Sequence, residues 1–195
     1  MSKAENKIKI MPRAIVCEDS NIRGDVTISS GSVVHPSAQI IAESGPIIIG
    51  ENCIIEEYAK IVHRIPTNHK LYQENPEKPH VLVIGSNNIF EVGCTVEALK
   101  IGEKNIFECK SYVSPDVTIA SGCVIGAGCQ LSGEQHLTEN TVIFGKHCQQ
   151  REAMDKQGSH MLQLDFLRKI LPNYHHLRKP VDIKAKVPFS SSTPK

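Results

Sequence analysis

His35, His63, His69 and His80 are the side chains of this 195-residue chain best placed by type to act as a general base. The last three lie in or beside the polar stretch IVHRIPTNHKLYQENPEKPHVLVI (Ile61 to Ile84). A histidine base is most effective when a carboxylate orients its ring, and no carboxylate stands at a fixed spacing from these four. His175-His176 follows Pro172 and reads as a surface or packing pair. Arg23-Gly24-Asp25, within NIRGDVTIS, would act in adhesion only on a protruding extracellular loop. Thr193-Pro194 is a candidate proline-directed phosphorylation site next to Lys195. A phosphate there would add about two negative charges.

The seven cysteines are odd in number and include no CxxC pair, which excludes a zinc ribbon, a thioredoxin-type motif and an even disulfide framework. Reduced thiols fit the cytosol or nucleus. Net charge is +1 and only nine residues are Phe or Tyr, with no Trp, so neither a basic field nor a stacking platform points to nucleic acid. No apolar run is long enough for a signal peptide or a membrane span, which leads us to expect no direct membrane insertion.

The elements that must hold these residues follow from a six-residue beat. Aliphatics recur at Ile10, Val16, Ile22, Ile28, Val34 and Ile40, then at Ile49, Ile55 and Ile61. A longer run is Ile84, Phe90, Val96, Ile101, Phe107, Val113, Ile119, Ile125 and Leu131, with a one-residue slip after Val96. Four places after the aliphatic comes a small or β-branched residue, and Cys53, Cys94, Cys123 and Cys129 occupy that position as small hydrophobes. A period of six fits neither a helix nor a half-buried strand. It predicts an all-β fold, a left-handed parallel β-helix of hexapeptide repeats, in which roughly seventeen hexads at three per turn give about six coils. Gly50, Gly85, Gly102, Gly126 and Gly145 each follow an aliphatic and are expected to supply permissive backbone angles.

The β-helix is expected over 1–150, with a loop around 62–83 projecting from one corner and the hexads fading after Leu131. Residues 151–195 should form a C-terminal α-helix over about 160–171, stopped by Pro172, and a mobile tail. Leu162, Phe166 and Ile170 share one helical face, widened by Leu164, Leu167 and Leu171. That helix should pack along a flat side of the prism.

Three segments, IRGDVTI, IIEEYAKIVH (Ile54 to His63) and IGSNNIFEVGCTVEA (Ile84 to Ala98), resemble the γ-class carbonic anhydrases. Members of that family hold zinc or a similar ion between trimer subunits with three histidines. His63 matches the first ligand position, while Val92 and Glu97 stand at the second and third, and Glu56-Glu57 replaces a Gln-Asp pair. Valine cannot ligate, and one imidazole with one carboxylate is short of the set that activates zinc-bound water. No metal, cofactor or catalytic residue is therefore expected, and His63 should lie at the exposed start of the loop. The alternative enzyme reading is a hexapeptide acyltransferase, which uses the same fold with a histidine base.

A further resemblance spans nearly the whole chain. IRGDVTI, IIAESGPIIIGENCIIEE, VIGSNNIFEVGC and LQLDFLRKILPNYHHLRK, in that order, are similar to the dynactin subunit 5/6 family. The last segment is the most specific, because generic hexapeptide enzymes do not carry it. The resemblance implies a non-catalytic subunit of the dynactin pointed-end complex. Its partners would be dynactin subunit 5 and the pointed-end actin-related protein, with cytoplasmic dynein and cargo adaptors acting indirectly. It also implies a cytoplasmic, cytoskeleton-associated protein that visits kinetochores in mitosis. Arg23 and Asp25 then read as a structural or interface ion pair on the coil.

Overall fold

The computed structural model describes residues 6–69, 72–73, 79–155 and 158–180. Three sheets of seven, eight and six short strands form the sides of a prism, and successive strands of the chain move from one sheet to the next. The first sheet opens with Lys7–Ile10, the second with Ile15–Val16 and the third with Asn21–Arg23. Pairing is parallel until Gln149–Glu152, which folds back antiparallel on Thr141–Phe144 and continues strand pairing past residue 150.

The register reproduces each irregularity of the beat. Ile10 pairs with Ile28, a full rung of three hexads later, and Ile28 with Ile49, where Ser44-Gly45-Pro46 is accommodated. Ile49 pairs with Ile84 across the long loop, and Ile84 with Ile101 across the one-residue slip. One detail differs from the expectation. The first sheet has seven rungs, one more than the hexad count, because the beat persists through buried Leu137 and Ile143. Polar neighbours such as Gln135, His136 and Thr141 hide that continuation in the sequence.

One aliphatic per hexad points to the axis, and together they form a single column of side chains from Ile10 to Ile143. Phe90 and Phe107 stack within it, with ring centroids 4.7 Å apart and planes 6° from parallel. At one corner the small-residue position carries Ser32, Cys53, Asn88, Asn105 and Cys123, all fully buried. Here side chains satisfy the backbone of the next rung. Ser32 Oγ accepts from the Cys53 amide, Asn88 Oδ1 from that of Asn105, and Asn105 Oδ1 from that of Cys123, at 3.0, 2.8 and 2.8 Å.

The glycines after the aliphatics serve a different purpose from the one expected. Gly50, Gly85, Gly102 and Gly126 do not have positive φ, and among that set only Gly145 does. A Cβ on Gly85 would lie 2.5 Å from the Gly102 carbonyl oxygen, and one on Gly102 2.7 Å from the Ala120 carbonyl carbon. Close stacking of rungs fixes these residues. The left-handed positions are shared between other glycines, such as Gly24 and Gly93, and residues such as Asn52, Tyr58, Asn87, Lys104, Lys110 and Asn140.

The helix α1 spans Met161–Tyr174 and lies on the second sheet. Pro172 sits inside it rather than ending it. Proline costs a helix its bond to the carbonyl four residues back, a small loss in the final turn, where His175 N–H still donates to Leu171 O. The buried flank also differs from the expected one. Leu164 and Leu171, with half-buried Leu167, pack on Ile15, Val33, Ile54, Ile89 and Ile106, while Leu162 and Phe166 are exposed. Arg168 clamps the helix through Nη2, which donates to Asn52 Oδ1 at 2.8 Å, and bonds the Gly31 carbonyl as well. We expect Arg168→Ala to cost about 1.5–3 kcal/mol in urea denaturation, the range for hydrogen bonds to a charged group. Arg168→Lys should recover only part of it, because lysine lacks the planar fork.

Candidate functional site

His63 ends the third-sheet strand Lys60–His63, paired through Ala42↔His63. It is 1% exposed, so its place is interior and not the exposed start of the loop. Strand pairing carries it one residue deeper than the polar sequence after it suggests. Nε2 lies 2.7 Å from the His80 carbonyl oxygen, to which it donates, and Nδ1 is buried without a partner. Burial holds its pKa below the ordinary histidine value, against the raising effect of the bond to the His80 carbonyl, and the nearby His80 ring lowers it further.

Unfolded His63 takes up a proton near about 6.5, whereas the folded residue resists protonation. Its contribution is therefore complete above that value and is lost as pH falls through the lower folded value. We expect urea midpoints of the wild type to drop between pH 7.5 and 5.5 by more than those of His63→Gln. Equal drops would show that His63 is not the group responsible.

The other positions of that resemblance are committed elsewhere. Glu97 Oε2 accepts from the Tyr112 hydroxyl at 3.2 Å, and Val92 is an exposed aliphatic at a corner. Glu56, in place of the family's glutamine or aspartate, accepts the Val92 amide at 3.2 Å. The residues present do not fit the metal of the γ-class enzymes. Among the described residues no group of three or more His, Cys, Asp or Glu is arranged to hold a metal ion.

Among the described residues two histidine–carboxylate pairs do form. His35 Nδ1 lies 2.9 Å from Glu57 Oε1, and His69 Nε2 lies 3.4 Å from Asp116 Oδ1. Burial pushes the Glu57 carboxyl up, but the His35 hydrogen bond and charge outweigh it and leave the pKa lowered. His35 is 7% exposed with Nε2 buried, so its second nitrogen does not face a substrate. Sequence spacing did not reveal either pair, because each partner sits on another rung, displaced by an insertion or by the loop. His69 and Asp116 line an open groove of about 760 Å³ with Asn68, Lys100, Thr118 and His136. His175 is half-buried and His176 exposed, and the His176 carbonyl accepts from the Glu18 amide, so that pair packs the chain end onto the first rung.

Arg23 and Asp25 do not pair with each other. Arg23 closes a strand of the third sheet and Asp25 opens one of the first, so Gly24 is the prism corner that separates them. Arg23 Nε instead donates to Asn21 Oδ1 at 3.1 Å. The neighbouring ion pair is Arg64 with Glu43, where Arg64 Nη2 donates to Glu43 Oε1 at 2.9 Å. That hydrogen bond, against a smaller effect of burial, holds the Glu43 carboxyl below its ordinary range, and the Arg64 and Arg23 charges add to it.

The interior thiols are inert. Burial pushes Cys17 up to about 11 and Cys53 up to about 12, so both are protonated at neutral pH. Thr193 lies outside the described residues.

Relatives decide the family. The chain is 49% identical over 177 residues to dynactin subunit 6 of Danio rerio, covering 91% of this chain and 90% of that protein. The chain belongs to the dynactin subunit 6 family. Dynactin subunit 6 of Nematostella vectensis is 47% identical over 89% of this chain and 93% of its own, and that of Dictyostelium discoideum 36% over 87% of each. No protein-family model matches the sequence. Among solved structures, a hexapeptide transferase family protein from Anaplasma phagocytophilum superposes with a TM-score of 0.62 at 16% identity, covering 86% of this chain and 88% of that one. A putative acetyltransferase from Bacillus cereus gives 0.59 at 19% identity over 86% and 92%. At such identities the likeness is one of fold alone.

Proposed function

We propose that this protein is a non-catalytic subunit of dynactin, held in the pointed-end complex and supporting dynein-driven transport along microtubules through protein–protein contacts. The observation that carries this reading is the similarity to dynactin subunit 6 proteins across nine-tenths of the chain. The committed hydrogen bonds of His63 and Glu97, and an aliphatic side chain at Val92, support the absence of catalysis. The direct partners in this reading are dynactin subunit 5 and the pointed-end actin-related protein. Cytoplasmic dynein and cargo adaptors are reached indirectly. The protein is then cytoplasmic and cytoskeleton-associated, with kinetochores as a mitotic location. Among the described residues no helix is long and apolar enough to cross a membrane.

The test is affinity purification from cell extract followed by mass spectrometry. Dynactin subunits should be recovered with the tagged chain, and recovery without them overturns the assignment. Elemental analysis combined with a CO2 hydration assay checks the enzymatic side. We expect no stoichiometric metal and no turnover above buffer, and bound metal with turnover would refute a non-catalytic role. Phosphorylation of Thr193 in dividing cells belongs to the same proposal, and phosphopeptides that never carry it would remove that part alone.

A further inference from the structure

Helix α1 covers the second sheet with one flank and leaves a second apolar flank bare. Leu162, Phe166 and Tyr174 are 85%, 60% and 76% exposed. At about 100° per residue, Phe166, Ile170 and Tyr174 succeed one another along the side of α1 that also carries Gln163. Gln163 Nε2 donates to Glu56 Oε1 at 3.4 Å, which places this side over the corner between the second and third sheets. Arg168, bonded to Gly31 and Asn52, marks the opposite side.

That corner is acidic along the prism axis. Glu56 Oε2 accepts the Val92 amide at 3.2 Å, Glu91 Oε2 that of Cys109 at 3.0 Å, and Glu108 Oε2 that of Ala127 at 2.8 Å. Each bond reaches one rung onward, so the three carboxylates stack at the inter-strand spacing of about 4.8 Å. Glu57 stands beside Glu56, and Glu18 and Asp19 occupy the first rung of the same corner. Among the described residues Lys110 is the lysine of the turns at Glu56, Glu91 and Glu108, while Arg178 bonds the Glu18 and Ser20 carbonyls on the first rung and Lys146 lies in the last turn; exposed Tyr58 and Val92 add apolar surface. α1 runs along the same axis, since His160 Nε2 lies 3.1 Å from the Asn52 carbonyl oxygen while residues 176–178 bond the first rung. The apolar row and the acidic row therefore follow one line and meet at Glu56.

We propose that this line is a docking surface for a lysine- or arginine-rich amphipathic helix of a partner protein. Its apolar side packs beside Phe166, Ile170 and Tyr174, as a second helix packs along a first. Its cations face Glu56 and Glu91. The charge of the corner selects that occupant over an acidic or neutral segment. The surface is independent of which assembly the protein joins.

The test uses the purified full-length chain and a fluorescent synthetic 18-residue peptide with leucines on one helical face and lysines flanking them. Two controls keep the leucine face with glutamates, or scramble the lysine peptide so that no face forms. Anisotropy should show saturable, salt-sensitive binding of the lysine peptide only. Phe166→Ser with Tyr174→Ser, and separately Glu56→Gln with Glu91→Gln, should each weaken it by about tenfold or more. Glutamine keeps the acceptor for the backbone amide, and melting curves confirm that both variants are folded. Equal binding of the scrambled peptide, or indifference to both double variants, overturns the proposal. In cells, a photo-crosslinking residue at position 166 should capture a lysine- or arginine-rich segment of another protein. Capture of residues 181–195 of the same chain, of a second copy, or of an acidic segment overturns it as well.

Discussion

Phe107→Ala should lower unfolding free energy by about 3–5 kcal/mol, the range for deleting a large buried aromatic. Phe107 is fully buried and stacks face to face on Phe90, one rung back, with Ile125 next along the column. The ring fills the axis between two backbones held at a fixed inter-strand spacing. Those backbones are tied to each other by the sheet hydrogen bonds and by the Asn88-to-Asn105 and Asn105-to-Cys123 links. The walls cannot collapse into the void, which puts this site toward the costly end. Phe107→Leu keeps most of the volume and should cost under about 1.5 kcal/mol. Because each rung contacts mainly its neighbours, the loss should appear as a broadened or split urea transition as well as a lower midpoint. A loss below about 1 kcal/mol for the alanine variant would mean that the column is loosely packed.

How much of this was legible in the sequence depends on whether the signal is local. The beat of six is local, so the fold, the register jumps after Ile40 and Val96 and the interior placement of Cys53, Cys94, Cys123 and Cys129 could be read directly. Contacts between rungs could not be read, because their spacing includes every insertion between them. His35 meets Glu57, and Asn88 meets Asn105, only after the three-residue insertion and the one-residue slip are counted.

The covered face left a signal that spacing alone does not show. In the second sheet the residue before each inward aliphatic is itself aliphatic: Ile15-Val16, Val33-Val34, Ile54-Ile55, Ile89-Phe90, Ile106-Phe107 and Val124-Ile125. In the third sheet the same place holds Asn21, Gln39, Lys60, Thr95, Tyr112 and Gln130. A strand aliphatic on both faces is buried on both. This doubling marks the side on which α1 lies. The flank of α1 that would be buried was not legible, since apolar residues occupy both sides of the helix and Arg168 decides the rotation by bonding Gly31 and Asn52.

The same distinction separates the members of Arg23-Gly24-Asp25. Gly24 has φ of +84°, and a Cβ there would lie 2.3 Å from the Ala42 carbonyl oxygen, a backbone atom that cannot swing away. Its amide donates to Asn6 Oδ1 at 2.8 Å, and its carbonyl accepts from Lys7 N–H at 3.0 Å, so the corner also anchors the first strand. Gly24→Ala should therefore cost more than about 3 kcal/mol, a left-handed penalty plus the displacement of a neighbouring rung. The displacement falls on Ala42, whose strand partner is His63, so the variant should also expose His63 and weaken the acid sensitivity assigned to it. Arg23→Gln and Asp25→Asn touch exposed or half-buried side chains that do not pair and should each change stability by less than about 0.5 kcal/mol. If either charge variant destabilised the chain as much as Gly24→Ala, the triplet would be held by its charges. The close approach of Gly24 to Ala42 gives the opposite order: the glycine serves the corner, and the charges of Arg23 and Asp25 do not hold it.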